Sequence, residues 1–227
     1  MRIIILFIIL IIIVSKLYAQ EDSLQTEKKP EFFDKEFSRA AQASTSLFLA
    51  SFCAMPFDKD IRYFRTDKFL DFQKSYDNYL QFAPLGLMYG MKAFGVKSRS
   101  SWAEMAVANA SSLVIMEVIV YPMKTIIARE RPDGSANNSF PSGHTATAFA
   151  CAHMFHKEYG NISPWISIAG YSMASVTGLT RVMNNRHWLS DVLFGAGIGI
   201  LSTELGYKVK DLAFKKKKKR KILPDSI

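Results

Sequence analysis

Residues 188–221 read WLSDVLFGAGIGILSTELGYKVKDLAFKKKKKRK: an apolar run to Tyr207, a short mixed stretch, then seven consecutive cations from Lys215 to Lys221. The apolar run lacks the alternation of a half-buried strand and is long enough for about five helical turns. Cations stacked at one end of an apolar helix mark the cytoplasmic side of a membrane by the positive-inside rule. Reading backwards, apolar helical segments recur at 164–182, 143–156, 103–127 and 79–95. Each turn changes sides, so His156 to Tyr159 and Lys97 to Ser101 fall inside, while Pro132 to Pro141 and Trp188 fall outside. With no internal repeat and no strand pattern, the expected class is all-α, a transmembrane helical bundle.

Length and composition narrow the alternatives. The chain has 227 residues, enough for one domain with a sizeable core. At 49% hydrophobic, 13% aromatic and 22% charged it is too apolar for a disordered protein. Of the net charge of +9, Lys215 to Lys221 supplies seven, which leaves too little elsewhere for a nucleic-acid groove. A mean hydropathy of +0.05, with Glu104 and Glu117 inside the longest segment, makes a soluble bundle the competing reading, against which the charge asymmetry stands. Cys53 and Cys151 lie far apart in apolar stretches and are expected as buried free thiols rather than a zinc site or a disulfide framework.

The start of the chain looks exported. Arg2 precedes twelve apolar residues, Ile3 to Val14, and a polar stretch opens at Glu21. Residues 1–19 therefore read as a signal peptide cleaved after Ala19 or, because Leu17 is large for that motif, as a retained N-terminal anchor. Residues 22–39 are polar, and 40–56 are interrupted by Gln42, Ser44, Thr45, Ser46 and Ser51, so 20–78 is expected as a periplasmic linker with a peripheral helix that does not cross. That parity gives five spans after cleavage, or six with the anchor retained. A bundle at 79–207 is followed by a polybasic cytoplasmic tail at 208–227, suited to anionic inner-leaflet lipids.

Three clusters of reactive residues fall at the outer helix ends. Lys124 and Arg131 are seven apart, on one face of a helix until Pro132 stops it, and two aligned cations suit a dianion. Pro141-Ser142-Gly143-His144 opens an apolar helix whose free N-terminal amides form a phosphate cradle. Arg181 is followed by His187 and Asp191, an i,i+4 pair in which the carboxylate can hold one ring nitrogen and leave the other basic. That arrangement prepares a histidine as a nucleophile. Taken singly, each cluster has a structural explanation: a hydrogen bond, a turn, cations at headgroups.

In this order and spacing the three resemble the signature of the type 2 phosphatidic acid phosphatase superfamily: K-x6-R-P, P-S-G-H, and S-R-x5-H-x3-D, with Thr180 here in place of the usual serine. The resemblance implies a helical bundle and a phosphatase that needs no metal or other cofactor and works through a phosphohistidine. By the same resemblance His187 attacks phosphorus, Asp191 orients it, and His144 protonates the leaving oxygen and then activates water. Lys124, Arg131, Arg181 and the amides of Ser142 and Gly143 would hold the phosphoryl oxygens. Phosphoryl transfer depends chiefly on charge stabilisation and in-line placement, which three cations and a helix N-terminus supply.

The expected function is a membrane lipid phosphatase of a bacterial inner membrane, acting at the periplasmic face on a lipid phosphate ester or diphosphate. Lipid A phosphate is slightly favoured over undecaprenyl diphosphate and phosphatidylglycerol phosphate. A secreted soluble acid phosphatase is the alternative enzyme, and a lipid-phosphate-binding scaffold is the alternative without catalysis. No nucleic-acid partner is expected, and the oligomeric state is not legible. His153 and His156, three apart, read as interfacial rather than metal ligands. Gly195 and Gly199 read as close helix packing; Trp102, Trp165 and Trp188 as interfacial aromatics.

Overall fold

The computed structural model describes residues 34–69 and 72–222, the last eight by backbone alone. The chain divides into two units, Met1–Arg39 and Ala40–Ile227, and of the first only the opening of one helix is described. The signal or anchor expected at 1–19 lies outside the described residues.

Among the described residues every regular element is helical. Helix α1 spans Lys35–Ala54 and passes through a 3-10 turn, Met55–Phe57, into α2, Asp58–Lys68. A single turn, α3 (Asp77–Leu80), precedes α4 (Ala83–Ala93), α5 (Trp102–Ile127), α6 (Gly143–Tyr159), α7 (Pro164–Met183) and α8 (Leu189–Ile222). The segment expected at 79–95 is thus broken at Gln81 and Phe82, with Pro84 entering the first turn of α4. The helix expected at 188–207 runs on unbroken to Ile222, and α1 begins at Lys35, inside the expected linker. Both thiols are free, but only Cys151 is buried; Cys53 is exposed, contrary to expectation.

Local chemistry sets the helix starts. Ser101 and Glu104 form a reciprocal capping box on α5, and Ser142 and Ser163 cap α6 and α7 through their hydroxyls. α8 is capped by its own Asp191, whose carboxylate accepts the Trp188 N–H at 2.9 Å.

Helices α5, α6, α7 and α8 form the bundle, with α6 packed on α7 and α8, and α5 on α8. Close approach depends on small residues. Ala148, Ala152 and Ala174 make the α6–α7 seam, while a Cβ at Gly195 would lie 2.5 Å from the Ser142 carbonyl oxygen and one at Gly199 would meet that of Ala146. The expected Gly195–Gly199 packing is therefore seen, inside one chain and against α6. Phe48 and Phe52 of α1 rest on Phe194 of α8, with ring centroids 4.6 and 6.0 Å apart.

The exterior is apolar where a soluble protein is polar. Val114, Val118, Tyr121 and Ile126 of α5 and Trp165, Ile168 and Leu179 of α7 are all exposed. Two stretches, Trp102–Ile127 and Leu189–Phe214, are long and apolar enough to cross a membrane by length and composition. Far from the clusters, inside the bundle, His153 and Lys157 both bind Glu204 at 2.8 Å, while the exposed His156 lies 2.7 Å from the Ser167 hydroxyl. His153 is thus engaged in a buried hydrogen-bonded contact between α6 and α8.

Candidate active site

All three clusters meet at one end of the bundle, because the C-termini of α5 and α7 and the N-termini of α6 and α8 lie together there. The detailed placement departs from the sequence expectation in several respects.

Lys124 and Arg131 do not share a helix face. α5 stops at Ile127, and Ala128 takes a left-handed conformation (φ 46°) that turns the chain four residues before Pro132. Asn138 gathers the two cations instead: its carbonyl accepts from Lys124 Nζ and its side-chain oxygen from Arg131 Nε, both at 2.8 Å. Burial lowers the pKa of the Arg131 guanidinium, and the nearby Arg181 cation acts in the same direction. An anion bound among these cations would relieve their mutual repulsion.

The cradle also differs in detail. The Ser142 N–H, assigned to phosphate by the sequence, donates to the Asp191 backbone carbonyl at 3.0 Å, and the Ser142 hydroxyl caps α6. The first two amides of α6, Gly143 and His144, have no acceptor within the helix and are the ones left for an anion. His144 stands half-buried, its Nε2 2.9 Å from the side-chain oxygen of Asn78.

His187 lies in the link between α7 and α8 and is buried. Its Nδ1 donates to the Ser139 backbone carbonyl at 2.8 Å. The Asp191 carboxylate lies 3.6 Å from the same nitrogen, outside hydrogen-bond range. The carbonyl thus fixes the tautomer, and Nε2 has no hydrogen-bond partner among the described residues. Burial pushes the imidazole pKa down to about 4; the Lys124 and Arg181 cations add to this, and Asp191 opposes it. A neutral ring with a free Nε2 lone pair follows at ordinary pH.

Asp191 is fully buried and tied from several sides. Ser139 donates its hydroxyl to Oδ2 at 2.5 Å, and Arg129 donates to Oδ1 at 2.7 Å. Arg129 also binds Asp58 of α2 at 2.8 Å, and Asp58 accepts from the Ser190 N–H at the head of α8. Arg181, in the last turn of α7, is paired with Asp77 of α3 at 2.7 Å, while its Nε remains buried and unpartnered. The Thr180 hydroxyl lies 3.0 Å from that of Tyr76.

Sequence reasoning missed Ser139, Asn138, Arg129, Asp58, Asp77 and Asn78. Arg129, two residues before Arg131, carried a weak signal; Asp58 and Asp77 carried none.

The PAP2 superfamily matches residues 102–214, the stretch that holds all three clusters. The chain belongs to the PAP2 superfamily. Over 182 residues, 80% of the chain, this PAP2 member is 48% identical to the lipid A 1-phosphatase of Porphyromonas gingivalis. It spans 41% of the length of that relative. The fold is shared with the crystal structure of the first transmembrane PAP2-type phosphatidylglycerolphosphate phosphatase from Bacillus subtilis, at a TM-score of 0.51 and 22% identity over 77% of this chain and 96% of that one. A crystal structure of Aquifex aeolicus LpxE overlaps 59% of this chain and 84% of its own, at 23% identity and a TM-score of 0.47. With its outward-facing apolar surface and two helices able to cross a bilayer, this PAP2 chain is a membrane protein.

Proposed function

We propose that the protein is a membrane lipid phosphatase that works through a phosphohistidine at His187. The observation that carries this is the His187 ring itself: Nδ1–H held by the Ser139 carbonyl, Nε2 free, and a neutral form favoured among cations. The Nε2 lone pair attacks phosphorus, and the P–O bond to the leaving group breaks. Burial, with the Arg181 cation, lowers the His144 pKa to about 4 in the protein alone, so the ring takes up its proton when the phosphate anion binds beside it and, as imidazolium, gives that proton to the departing oxygen. Neutral His144 then takes a proton from water, the hydroxide attacks phosphorus, the N–P bond breaks, and His187 is restored with release of phosphate. Lys124, Arg131, Arg181 and the amides of Gly143 and His144 hold the charge that grows on the phosphoryl oxygens.

Lipid A 1-phosphate is the substrate we favour, since the Porphyromonas relative is named for that activity and shares 48% of its aligned residues. The apolar exterior speaks against a secreted soluble phosphatase. The site faces the periplasm of a multi-pass inner-membrane protein in this proposal, because the catalytic ends of the helices lie opposite the side assigned to the basic tail. Residues 1–19 act as signal or anchor, and 208–227 as a cytoplasmic tail on anionic lipids.

The test is to trap the intermediate. His144→Ala, given a phosphate ester with a good leaving group, should accumulate an acid-labile, base-stable phosphoprotein with the label on His187 by mass spectrometry. No label, or label on another residue, would overturn the assignment.

A further inference from the structure

Beside Arg181, on the side where Asn78 reaches His144, the structure opens a polar cavity of about 510 Å³, within the ~300–1,000 Å³ range of ligand pockets. Its wall includes Arg65, Lys74, Asn78, Arg181, Asn184 and Arg186. The location matters because His144 protonates the leaving oxygen in the mechanism above. The leaving group must therefore lie next to His144, and Asn78 belongs both to that contact and to the cavity wall.

The charges in the wall do not balance. Arg181 is matched by Asp77, and Arg186 by Asp133 at 3.2 Å. Arg65 and Lys74 have no carboxylate partner among the described residues. Arg65 is only 7% exposed, yet among the described residues its guanidinium is bound to nothing but the carbonyls of Met183 and Phe72, at 2.6 and 2.9 Å. A buried cation satisfied by neutral acceptors alone retains its charge, which an incoming anion relieves. Lys74 is fixed at the rim, since its backbone exchanges two hydrogen bonds with the Asn184 side chain. The amides of Asn78 and Gln73 and the Ser75 hydroxyl supply the mixed donors and acceptors that sugar hydroxyls require.

We propose that this cavity is an accessory subsite for a polyhydroxylated headgroup carrying a second anionic group, bound by Arg65 and Lys74 while the phosphoryl group to be removed sits at Arg181. The inference rests on the phosphatase reading of the site and narrows it. The preferred substrate is a phosphorylated saccharide lipid with a further phosphate, rather than a glycerol phosphate or a polyprenyl diphosphate.

The experiment compares two substrates in detergent micelles: a diglucosamine lipid with phosphates at both ends, and the same lipid with only the phosphate to be removed. p-Nitrophenyl phosphate serves as a third substrate without a headgroup. The wild type should prefer the doubly phosphorylated lipid by about tenfold in kcat/KM, the scale of one charge-assisted contact. Lys74→Gln should cut that preference at least threefold, chiefly through KM, and Arg65→Gln should abolish it. Because Arg65 also ties Met183 and Phe72, the exposed Lys74 is the decisive position should Arg65→Gln fail to fold. A wild type that turns over p-nitrophenyl phosphate but treats the two lipids alike, or a Lys74→Gln variant with unchanged preference, overturns the subsite and leaves the phosphatase reading standing. A wild type that turns over none of the three esters overturns both.

Discussion

Arg129 is the residue whose removal best tests how the site is built. Its guanidinium is three-quarters buried and spans two carboxylates, Asp191 at 2.7 Å and Asp58 at 2.8 Å, of which the first is fully buried and the second 2% exposed. It thereby joins α2 to the head of α8. Arg129→Met takes from two buried carboxylates the guanidinium that pairs with both. Removing one partner of a buried pair costs about 3–5 kcal/mol, a large part of the ~5–15 kcal/mol that holds a typical domain together. For a chain of this size that corresponds to a fall in Tm of roughly 6–20 °C. Turnover should fall more than about tenfold, because Asp191 also positions Ser139, whose carbonyl orients His187. Arg129→Lys should rescue little, since an ammonium cannot hold two carboxylates in a fixed fork. Adding Asp58→Asn to Arg129→Met removes one stranded charge and should recover about 1–3 kcal/mol. The assay is thermal unfolding in detergent alongside p-nitrophenyl phosphate hydrolysis for the four proteins. An Arg129→Met enzyme with Tm within about 3 °C of wild type and unaltered turnover would refute the view that this bridge carries the site.

Four further outcomes rest on the same geometry. With burial holding both His187 and His144 near 4, kcat/KM corrected for substrate ionisation should show no histidine limb between pH 6 and 7; a limb there would mean that a ring is not desolvated. The same depression contributes stability that is complete above pH 6.5 and lost as pH falls towards 4, because the unfolded chain takes up the proton first. Asp191→Asn should cost about 10²-fold in turnover, less than the ~10⁴-fold seen where a carboxylate alone fixes the tautomer, because the Ser139 carbonyl holds Nδ1 here; a full 10⁴-fold loss would return that task to Asp191. Gly195→Ala places a Cβ 2.5 Å from the Ser142 carbonyl oxygen, so it should destabilise the protein by about 1–3 kcal/mol and shift the start of α6, read as lower Tm and lower turnover together; a neutral effect would show that α8 can move away from α6.

The sequence by itself determined the helical class and most helix positions, because apolar runs of helical length, serine caps and prolines act over a few residues. It also singled out His144, His187, Asp191, Lys124, Arg131 and Arg181 as candidates, since their spacing within short motifs is a local property, and the structure gathers them at one end of the bundle. What it assigned to local geometry, the tertiary structure decided otherwise. Lys124 and Arg131 meet through Asn138 rather than along a helix, the Ser142 amide is taken by the Asp191 carbonyl, and His187 is held by the backbone of Ser139. Asp58 and Asp77, which reach Arg129 and Arg181, lie 71 and 104 residues away from them in the chain. No period or motif links residues so far apart, and only the packing of α2 and α3 against the catalytic end of the bundle brings those charges to the site.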